Sequence, residues 1–148
     1  MSRSTKIAIT EWRDNVGGKL SIDYDFAVQG GAVGDIALDL DIPTGVIIYA
    51  GAARVLTTLA SGGSATLALK VNSNGDLLAA TAFATINSAG TLRLLSGTVD
   101  ATAASATQPL VVPTVTTTAA RTLTLQIGTA ALTAGKLRIF LDCFDARD

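Results

Sequence analysis

The sequence predicts an all-β domain, an antiparallel β-sandwich of jelly-roll type with an extended N-terminal arm. Three observations support this prediction. Apolar and polar residues alternate over several segments of strand length. Clusters of glycine, serine, asparagine and proline separate these segments at short intervals. No segment shows a convincing helical period of apolar residues. A β-barrel is the alternative architecture for the same pattern.

Composition sets the size of the domain and the nature of its surface. The 148 residues have the length of one domain with a substantial core. Hydrophobic residues make up 49% of the chain but aromatic residues only 5%, so small aliphatic side chains must fill that core. Charged residues reach 16%, against about 25% in typical soluble domains. Because interface cores are depleted in charge, the composition favours a homo-oligomer.

The N-terminal segment differs from the rest of the chain. Residues 1–19 lack a clean alternation, and the stretch Asp14–Gly18 resembles a hinge. We therefore expect residues 1–19 to form an arm and residues 20–148 to form the sandwich domain. Trp12, the only tryptophan, lies in the arm. It either caps its own core or anchors the arm on a neighbour, as buried tryptophans do at interfaces.

Two alternating segments open the sandwich domain. The first runs from Ser21 to Val28. Its inward-facing positions are Ile22, Tyr24, Phe26 and Val28. After a glycine-rich turn, the second runs from Asp35 to Ile42 and ends at Pro43-Thr44-Gly45. Aspartates occupy three of its four outward positions, so this strand is expected to have one solvated face.

A longer segment and a short one follow. Val46 to Leu59 is rich in β-formers, and Gly51 in its middle predicts a bulge or a bend where the strand passes between sheet edges. The turn Ser61–Ser64 ends it. Ala65 to Val71 alternates again and closes at Asn72–Asp76, whose residues tolerate positive φ. Boundaries between residues 77 and 108 stay open.

The C-terminal third predicts an edge strand and a pair of regular strands. Pro109 and Pro113 bracket an extended piece, and Val111 to Thr117 is interpreted as an edge strand, the kind of strand that tolerates proline. Thr122–Ile127 and Lys136–Phe144 are the regular strands, joined by Gly128–Gly135. The outward face of the last strand carries Arg138, Phe140, Asp142 and Phe144. This face is too apolar for a solvated surface, so we expect it to contact another chain or the N-terminal arm.

The chain lacks the residues on which most catalytic sites depend. It contains no histidine, which removes Ser-His-Asp triads and most acid–base schemes. Carboxylate pairs can hydrolyse glycosides, and Asp23/Asp25 and Asp39/Asp41 are the pairs to weigh. Each pair lies at i, i+2 on the polar face of a predicted strand, as on any solvated sheet. The sequence predicts no enzyme, no catalytic residue and no cofactor.

Metal and phosphate sites are also not indicated. The same aspartates, with Asp35, could gather calcium, but no loop has a spaced Asp-x-Asp-x-Asp-Gly pattern. Charges that deter edge pairing are the favoured interpretation. Gln29–Gly34 is not a phosphate loop, since no helix or Gly-Lys-Ser/Thr follows. Cys143 is the only cysteine, which excludes an intrachain disulfide and favours a buried, inert thiol.

Charge and hydropathy argue against nucleic acid and membranes as partners. A net charge of −1 and a pI near 5.2 provide no basic surface for nucleic acid. No stretch approaches the roughly 20 apolar residues of a membrane span, and no leader is evident, so we expect a soluble protein made in the cytoplasm.

A carbohydrate-binding sandwich is the main alternative from another functional class. Such a module needs an exposed aromatic platform on which a sugar ring can stack. The available aromatic residues are Trp12, Tyr24, Phe26, Tyr49, Phe83, Phe140 and Phe144. Tyr24 and Phe26 are assigned to the core, which leaves few rings for a platform.

Four stretches resemble one group of viral proteins. Tyr24–Ile36 followed by Ile42–Ile47 is similar to the opening of small structural proteins of tailed bacteriophages. Thr117–Ile127 followed by Leu132–Phe140 is similar to their closing hairpin. The likeness covers about Leu20 to Phe144 and rests on the texture of strands and turns.

The resemblance implies a capsid decoration, or cement, protein. Such proteins are commonly β-sandwiches that trimerise where major capsid subunits meet, so the implied location is the capsid surface of a virion assembled in a host cytoplasm. The implied partners are further copies of the chain and the major capsid protein. Trp12 would dock on the shell or a neighbour, and Phe140 and Phe144 would pack between copies. A tail or fibre component is the alternative within this class.

Overall fold

The computed structural model describes residues 19–95 and 115–146. The helical elements in this part of the chain are one turn of α-helix, α1 (Phe26–Gln29), and one 3-10 turn (Phe83–Thr85). The strands are β1 (Lys19–Asp25), β2 (Gly34–Ile42), β3 (Val46–Ser61), β4 (Thr66–Lys70), β5 (Leu78–Ala82), β6 (Leu92–Leu94), β7 (Val115–Thr116), β8 (Arg121–Gly128) and β9 (Leu132–Asp145). The predicted all-β class is confirmed.

The strands form two antiparallel sheets, as expected for a sandwich. The five-strand sheet has the order β1-β9-β3-β6, and β7 also pairs with β3. The four-strand sheet has the order β2-β8-β4-β5. Of the predicted arm, residues 1–19, Lys19 is the first residue of β1, and residues 1–18 lie outside the described residues.

The core lies between the inner faces of the two sheets. On β9 the alternation predicted from the sequence is confirmed. Its buried positions are Leu137, Ile139, Leu141 and Cys143. Leu123, Leu125 and Ile127 of β8 oppose them from the four-strand sheet, and all three are almost fully buried. The two inner faces therefore interlock as aliphatic surfaces with few aromatic side chains, as the composition indicated.

The first predicted strand ends earlier than expected. β1 stops at Asp25, whose side-chain oxygen accepts a hydrogen bond from the Ala27 N–H at 3.0 Å and so caps α1. Gly30, at φ 73°, ends the helical turn. This turn rotates Val28 outward, where it is exposed. The prediction that Val28 faces the core was wrong because a local cap outweighed the alternation.

β3 is continuous within the five-strand sheet, so the predicted passage between sheet edges was wrong. The nearest irregularity in its register with β9 lies between Ile48 and Ala50. Gly51 has another role. A Cβ at this position would lie 2.5 Å from the Phe140 carbonyl oxygen and 2.6 Å from a Leu95 methyl carbon. A glycine is required here because β9 and Leu95 approach the backbone so closely.

One further difference lies in the C-terminal third. β9 begins at Leu132 rather than Lys136, because the turn before it is short and Thr129 adopts φ 67°. The predicted edge strand is present as β7, and residues 111–114 lie outside the described part. Buried Thr117 fastens β7 to the β2–β3 turn, since its hydroxyl donates to the Pro43 carbonyl at 2.6 Å and accepts from the Val46 N–H at 2.9 Å.

Candidate interaction surface

The outer face of the five-strand sheet, here called the contact face, is the most apolar exposed surface of the described residues. Seven large hydrophobic side chains are exposed among residues 19–95 and 115–146, and five of them belong to strands of this sheet. These five are Tyr49, Leu92, Leu94, Phe140 and Phe144. Their exposed fractions run from 38% at Phe144 to 58% at Leu92. Such a cluster typically marks an interaction site.

The strand register aligns the central residues of the contact face in one row. Leu94 of β6 pairs with Ala52 of β3, Ala52 pairs with Phe140 of β9, and Phe140 pairs with Ser21 of β1. Neighbouring strands lie about 4.8 Å apart, so this row crosses the whole sheet. The small Ala52 and Ser21 leave Phe140 standing above its neighbours. Phe140 is therefore the centre of the contact face.

An aromatic pair extends the apolar surface toward the end of β9. The rings of Tyr49 and Phe144 lie 5.8 Å apart between centroids and are tilted by 43°. Tyr49 occupies the irregular position between Ile48 and Ala50, where β3 has one residue more than β9. This local irregularity directs the tyrosine ring against Phe144.

Charged residues on either side of the central row are paired within the sheet. Arg138 donates two hydrogen bonds to the Asp23 carboxylate, at 2.7 and 2.8 Å. The hydrogen bond from Arg138 holds the pKa of Asp23 below its usual value, and the same bond raises the pKa of Arg138. On the other side of the row, the Lys19 Nζ lies 3.4 Å from the Asp142 Oδ1.

A third ion pair lies one row further along β1 and β9. Lys136 is 2.7 Å from Asp25, and its hydrogen bond, together with one from the Ala27 N–H, lowers the pKa of the Asp25 carboxyl group. Three positive and three negative side chains thus neutralise one another across β1 and β9. Arg54 of β3, beside Arg138 in the register, adds a positive charge with no ion pair among residues 19–95 and 115–146.

The opposite surface, the outer face of the four-strand sheet, has a different composition. Its side chains are small or polar and include an ion pair between Lys70 and Asp35 and a 2.8 Å hydrogen bond from Thr122 to Asp41. None of the exposed large hydrophobic side chains of the described residues lies on it. Its outward positions are Asp35, Ala37, Asp39, Asp41, Thr66, Ala68, Lys70, Thr122, Thr124 and Gln126.

The alternative chemical sites find little support in the geometry. No group of three or more potential metal-ligating side chains occurs within the described ranges. Asp23 and Asp25 are engaged by Arg138 and Lys136. Cys143 is buried, and burial followed by the nearby Asp142 charge raises the pKa of its thiol to about 11. A thiol with this pKa is almost wholly protonated at neutral pH and therefore a poor nucleophile.

One cavity between the sheets, lined by described residues, is too small for a ligand. It measures about 10 Å³, and its lining, which includes Val55, Leu67 and Leu125, presents apolar surface only. This is about the room of one water molecule. The described residues also contain no helix long and apolar enough to cross a membrane.

The structure brings two of the predicted interface residues together. Phe140 and Phe144 lie on the same face of β9, while Trp12 lies outside the described residues. Tyr49, Leu92 and Leu94 were missed from the sequence. Leu92 and Leu94 fall in a segment without a clear pattern, and only the pairing of β6 with β3 places them beside Phe140. Tyr49 was missed because the irregularity in β3 was expected at Gly51.

Comparisons with known proteins bear on the fold. No protein-family model and no curated protein matches the chain. A chain in the acidic stable capsid structure of Helicobacter pylori bacteriophage KHP30 aligns with a TM-score of 0.59 and 10% sequence identity, over 89% of this chain and 90% of that one. A chain in the capsid of Ralstonia phage GP4 aligns with a TM-score of 0.57 and 19% identity, over 98% and 96%. This protein shares their fold.

Proposed function

We propose that this chain is a structural protein of a bacteriophage capsid. The supporting observation is a fold shared over 89% and 98% of the chain with chains from two phage capsids. The contact face supports it independently, since a protein that works by assembly needs an exposed apolar surface. The low charge of the chain is consistent with surfaces that become buried in an assembly.

Within this role, the finer proposal is a decoration protein on the outside of the virion. It binds between major capsid subunits and associates with further copies of itself, with a trimer as the unit that the sequence resemblance implies. Each copy buries a modest area on several subunits, and copies related by the symmetry of the shell gain avidity. Synthesis in the host cytoplasm precedes assembly in this proposal. No catalysis is involved, which agrees with the engagement of Asp23 and Asp25 in ion pairs.

The strand order supports the jelly-roll form of the sandwich. β1 and β3 lie in the five-strand sheet and β2 and β4 in the four-strand sheet, so the first four strands alternate between the sheets, whereas β4 and β5 are neighbours in one sheet. β6 and β7 both run antiparallel to β3 along its same edge, as two parts of one edge strand. If β6 and β7 are counted as one strand, each of the two sheets has four strands. This is the arrangement of a sandwich built from two Greek keys.

Carbohydrate binding is the weaker proposal for the contact face. Its exposed aromatic pair, Tyr49 and Phe144, is tilted by 43° and does not form a flat platform for a sugar ring. A tail or fibre role stays within the structural class, and the experiment below separates it from a capsid role.

The test compares particles assembled with and without this chain under heat. A capsid decoration protein should raise the temperature at which packaged DNA is released, and purified chain added back to depleted particles should restore that temperature. Electron microscopy of the restored particles should show added density on the heads. Heads of unchanged stability that carry no added density would contradict the proposal. If adsorption to cells alone were lost, the tail role would replace it.

A further inference from the structure

Phe140 lies between two rows of paired charges, and the signs on β9 and β1 are reversed from one row to the other. In the row of residue 138, the positive charge is on β9 (Arg138) and the negative charge on β1 (Asp23). In the row of residue 142, the negative charge is on β9 (Asp142) and the positive charge on β1 (Lys19). Each row lies two residues from Phe140 along β9, about 6.8 Å away. The four charges therefore alternate in sign from row to row and from strand to strand, and Phe140 and Ser21 lie between the two rows.

This arrangement of four charges is complementary to the same arrangement on a second copy of the chain. A two-fold axis along the Leu94–Ala52–Phe140 row turns the 138 row onto the 142 row of a second chain. Arg138 then faces Asp142 of the second copy, and Asp23 faces Lys19 of the second copy. Phe140 and Leu94 face their own equivalents at the axis. We propose that two copies of this chain associate across the contact face about this two-fold axis.

The details of the face agree with this pairing. In such an isologous contact every interaction off the axis occurs twice, so the two charged rows form four inter-chain ion pairs, while Phe140 and Leu94 each meet their own equivalent once on the axis. The Lys19–Asp142 pair is long, at 3.4 Å, and Lys19 is 86% exposed, so both side chains can accept new partners. Two sheets packed face to face lie about 10 Å apart, which the projecting Phe140, Leu92 and Leu94 side chains can fill.

The pairing deepens the proposed function and rests on its self-association. It also reassigns Phe140 and Phe144, which the sequence placed in a trimer. A three-fold contact joins two different surfaces of each copy and does not place one face against itself. The contact face would thus link copies in pairs on the particle, and a trimer would have to assemble through another surface.

Charge-reversal variants at Arg138 and at Asp142 test the proposed two-fold contact directly. In Asp142→Lys, the introduced lysine would meet Arg138 of the second copy in both halves of the contact. In Arg138→Glu, the introduced glutamate would meet Asp142 likewise. Each variant alone should dimerise at least about tenfold more weakly, since like charges in an interface cost several kcal/mol. Mixed in equal amounts, the two variants should form a heterodimer, because each introduced charge then faces its opposite.

The readout is mass by sedimentation or light scattering across a dilution series of the full chain. Wild type should show twice the 15.0 kDa chain mass, each variant a weakened dimer, and the mixture a restored one. Asp39→Lys makes the same charge change on the other outer face and should leave the dimer intact. Circular dichroism of each variant checks folding, and restoration on mixing shows that both variants are competent.

Three results would overturn the two-fold contact: a wild type that stays at 15.0 kDa at all concentrations, a mass of three chains, or two folded variants that fail to associate on mixing. None of these results depends on a capsid. The heat challenge of particles tests the proposed function separately, so the failure of one is distinguishable from the failure of the other.

Discussion

The two outer faces of the sandwich share a backbone pattern but differ in what they present to solvent. Both sheets alternate inward and outward side chains, and both inner faces are aliphatic. Outward, the five-strand sheet presents Phe140, Leu92 and Leu94, whereas the four-strand sheet presents Thr122, Thr124 and other small or polar residues. Alternation alone therefore fixes the core but not the role of a sheet. The size of the outward side chains separates a contact surface from a solvated one.

The largest expected effect concerns the backbone beneath the contact face. Gly51→Ala should destabilise the fold by about 2–3 kcal/mol, because its Cβ would meet the Phe140 carbonyl oxygen at 2.5 Å and backbone atoms cannot rotate away. Gly128→Ala is the matched change in the four-strand sheet. There the Cβ meets the Thr66 hydroxyl oxygen at 2.5 Å, which a rotamer change relieves, so the cost should stay under about 1 kcal/mol.

Urea unfolding of both glycine variants measures the difference. Equal costs would show that the five-strand sheet adapts as easily as its partner, and the contact face would then not rest on a rigid support. A cost confined to Gly51→Ala would sharpen the contrast between the two sheets.

How far the sequence predicts this fold depends on whether the decisive interactions are local in the chain. The alternation of β2, β4 and β8 and the inward face of β9 follow from period-two patterns and were predicted correctly. The helical turn after Asp25 was missed because a cap overrode the alternation. The contact face was half predicted: Phe140 and Phe144 lie on one strand, but Leu94 joins them only through pairing with β3, which no local pattern encodes.

A second prediction concerns the inner side of the edge strand of the five-strand sheet. The Tyr24 hydroxyl donates a 2.7 Å hydrogen bond to the Gly30 carbonyl oxygen and ties β1 to the turn after α1. Tyr24→Phe should cost about 1 kcal/mol at neutral pH. Burial raises the pKa of Tyr24 to about 12, from an ordinary value of 10.0. The native state thus favours the protonated phenol, and wild type should lose stability as the pH rises from 10 to 12.

Thermal unfolding of Tyr24→Phe and wild type at neutral pH and above pH 10 checks both parts. The variant lacks this ionisation, so the gap between the two proteins should narrow as the pH rises. A gap that stayed constant would mean that the phenol ionises equally well in the folded and unfolded states.

A smaller effect is expected from the ion pairs that flank Phe140. The pKa of Asp23 is lowered by its hydrogen bond to Arg138, so the ionised carboxylate stabilises the native state. That contribution is present above the ordinary value of 3.8 and is lost as the pH falls through the lower, native value. Asp23→Asn should therefore be less stable than wild type at neutral pH, and the two should converge in acid.

Chemical unfolding of Asp23→Asn, wild type and Ser21→Ala at several pH values tests this dependence. Ser21 lies on the same face of β1 between Lys19 and Asp23 and carries no ionisable group. Its variant should follow the pH profile of wild type. If Asp23→Asn also followed that profile at every pH, the ion pair would contribute nothing measurable, as many exposed pairs do.

The smallest effect on stability is expected at the centre of the contact face itself. Phe140 is 40% exposed, whereas its neighbour Ile139 is fully buried on the inner face of the same strand. Phe140→Ser, unfolded in urea at a concentration where the chain is monomeric, should change stability by no more than about 0.5 kcal/mol. Ile139→Ser should cost several times that. A large loss in Phe140→Ser would show that the ring supports the fold of each copy. A stable Phe140→Ser that no longer associates would show that the five-strand sheet divides these roles, with its inner residues holding the fold and its outer ones contacting a partner.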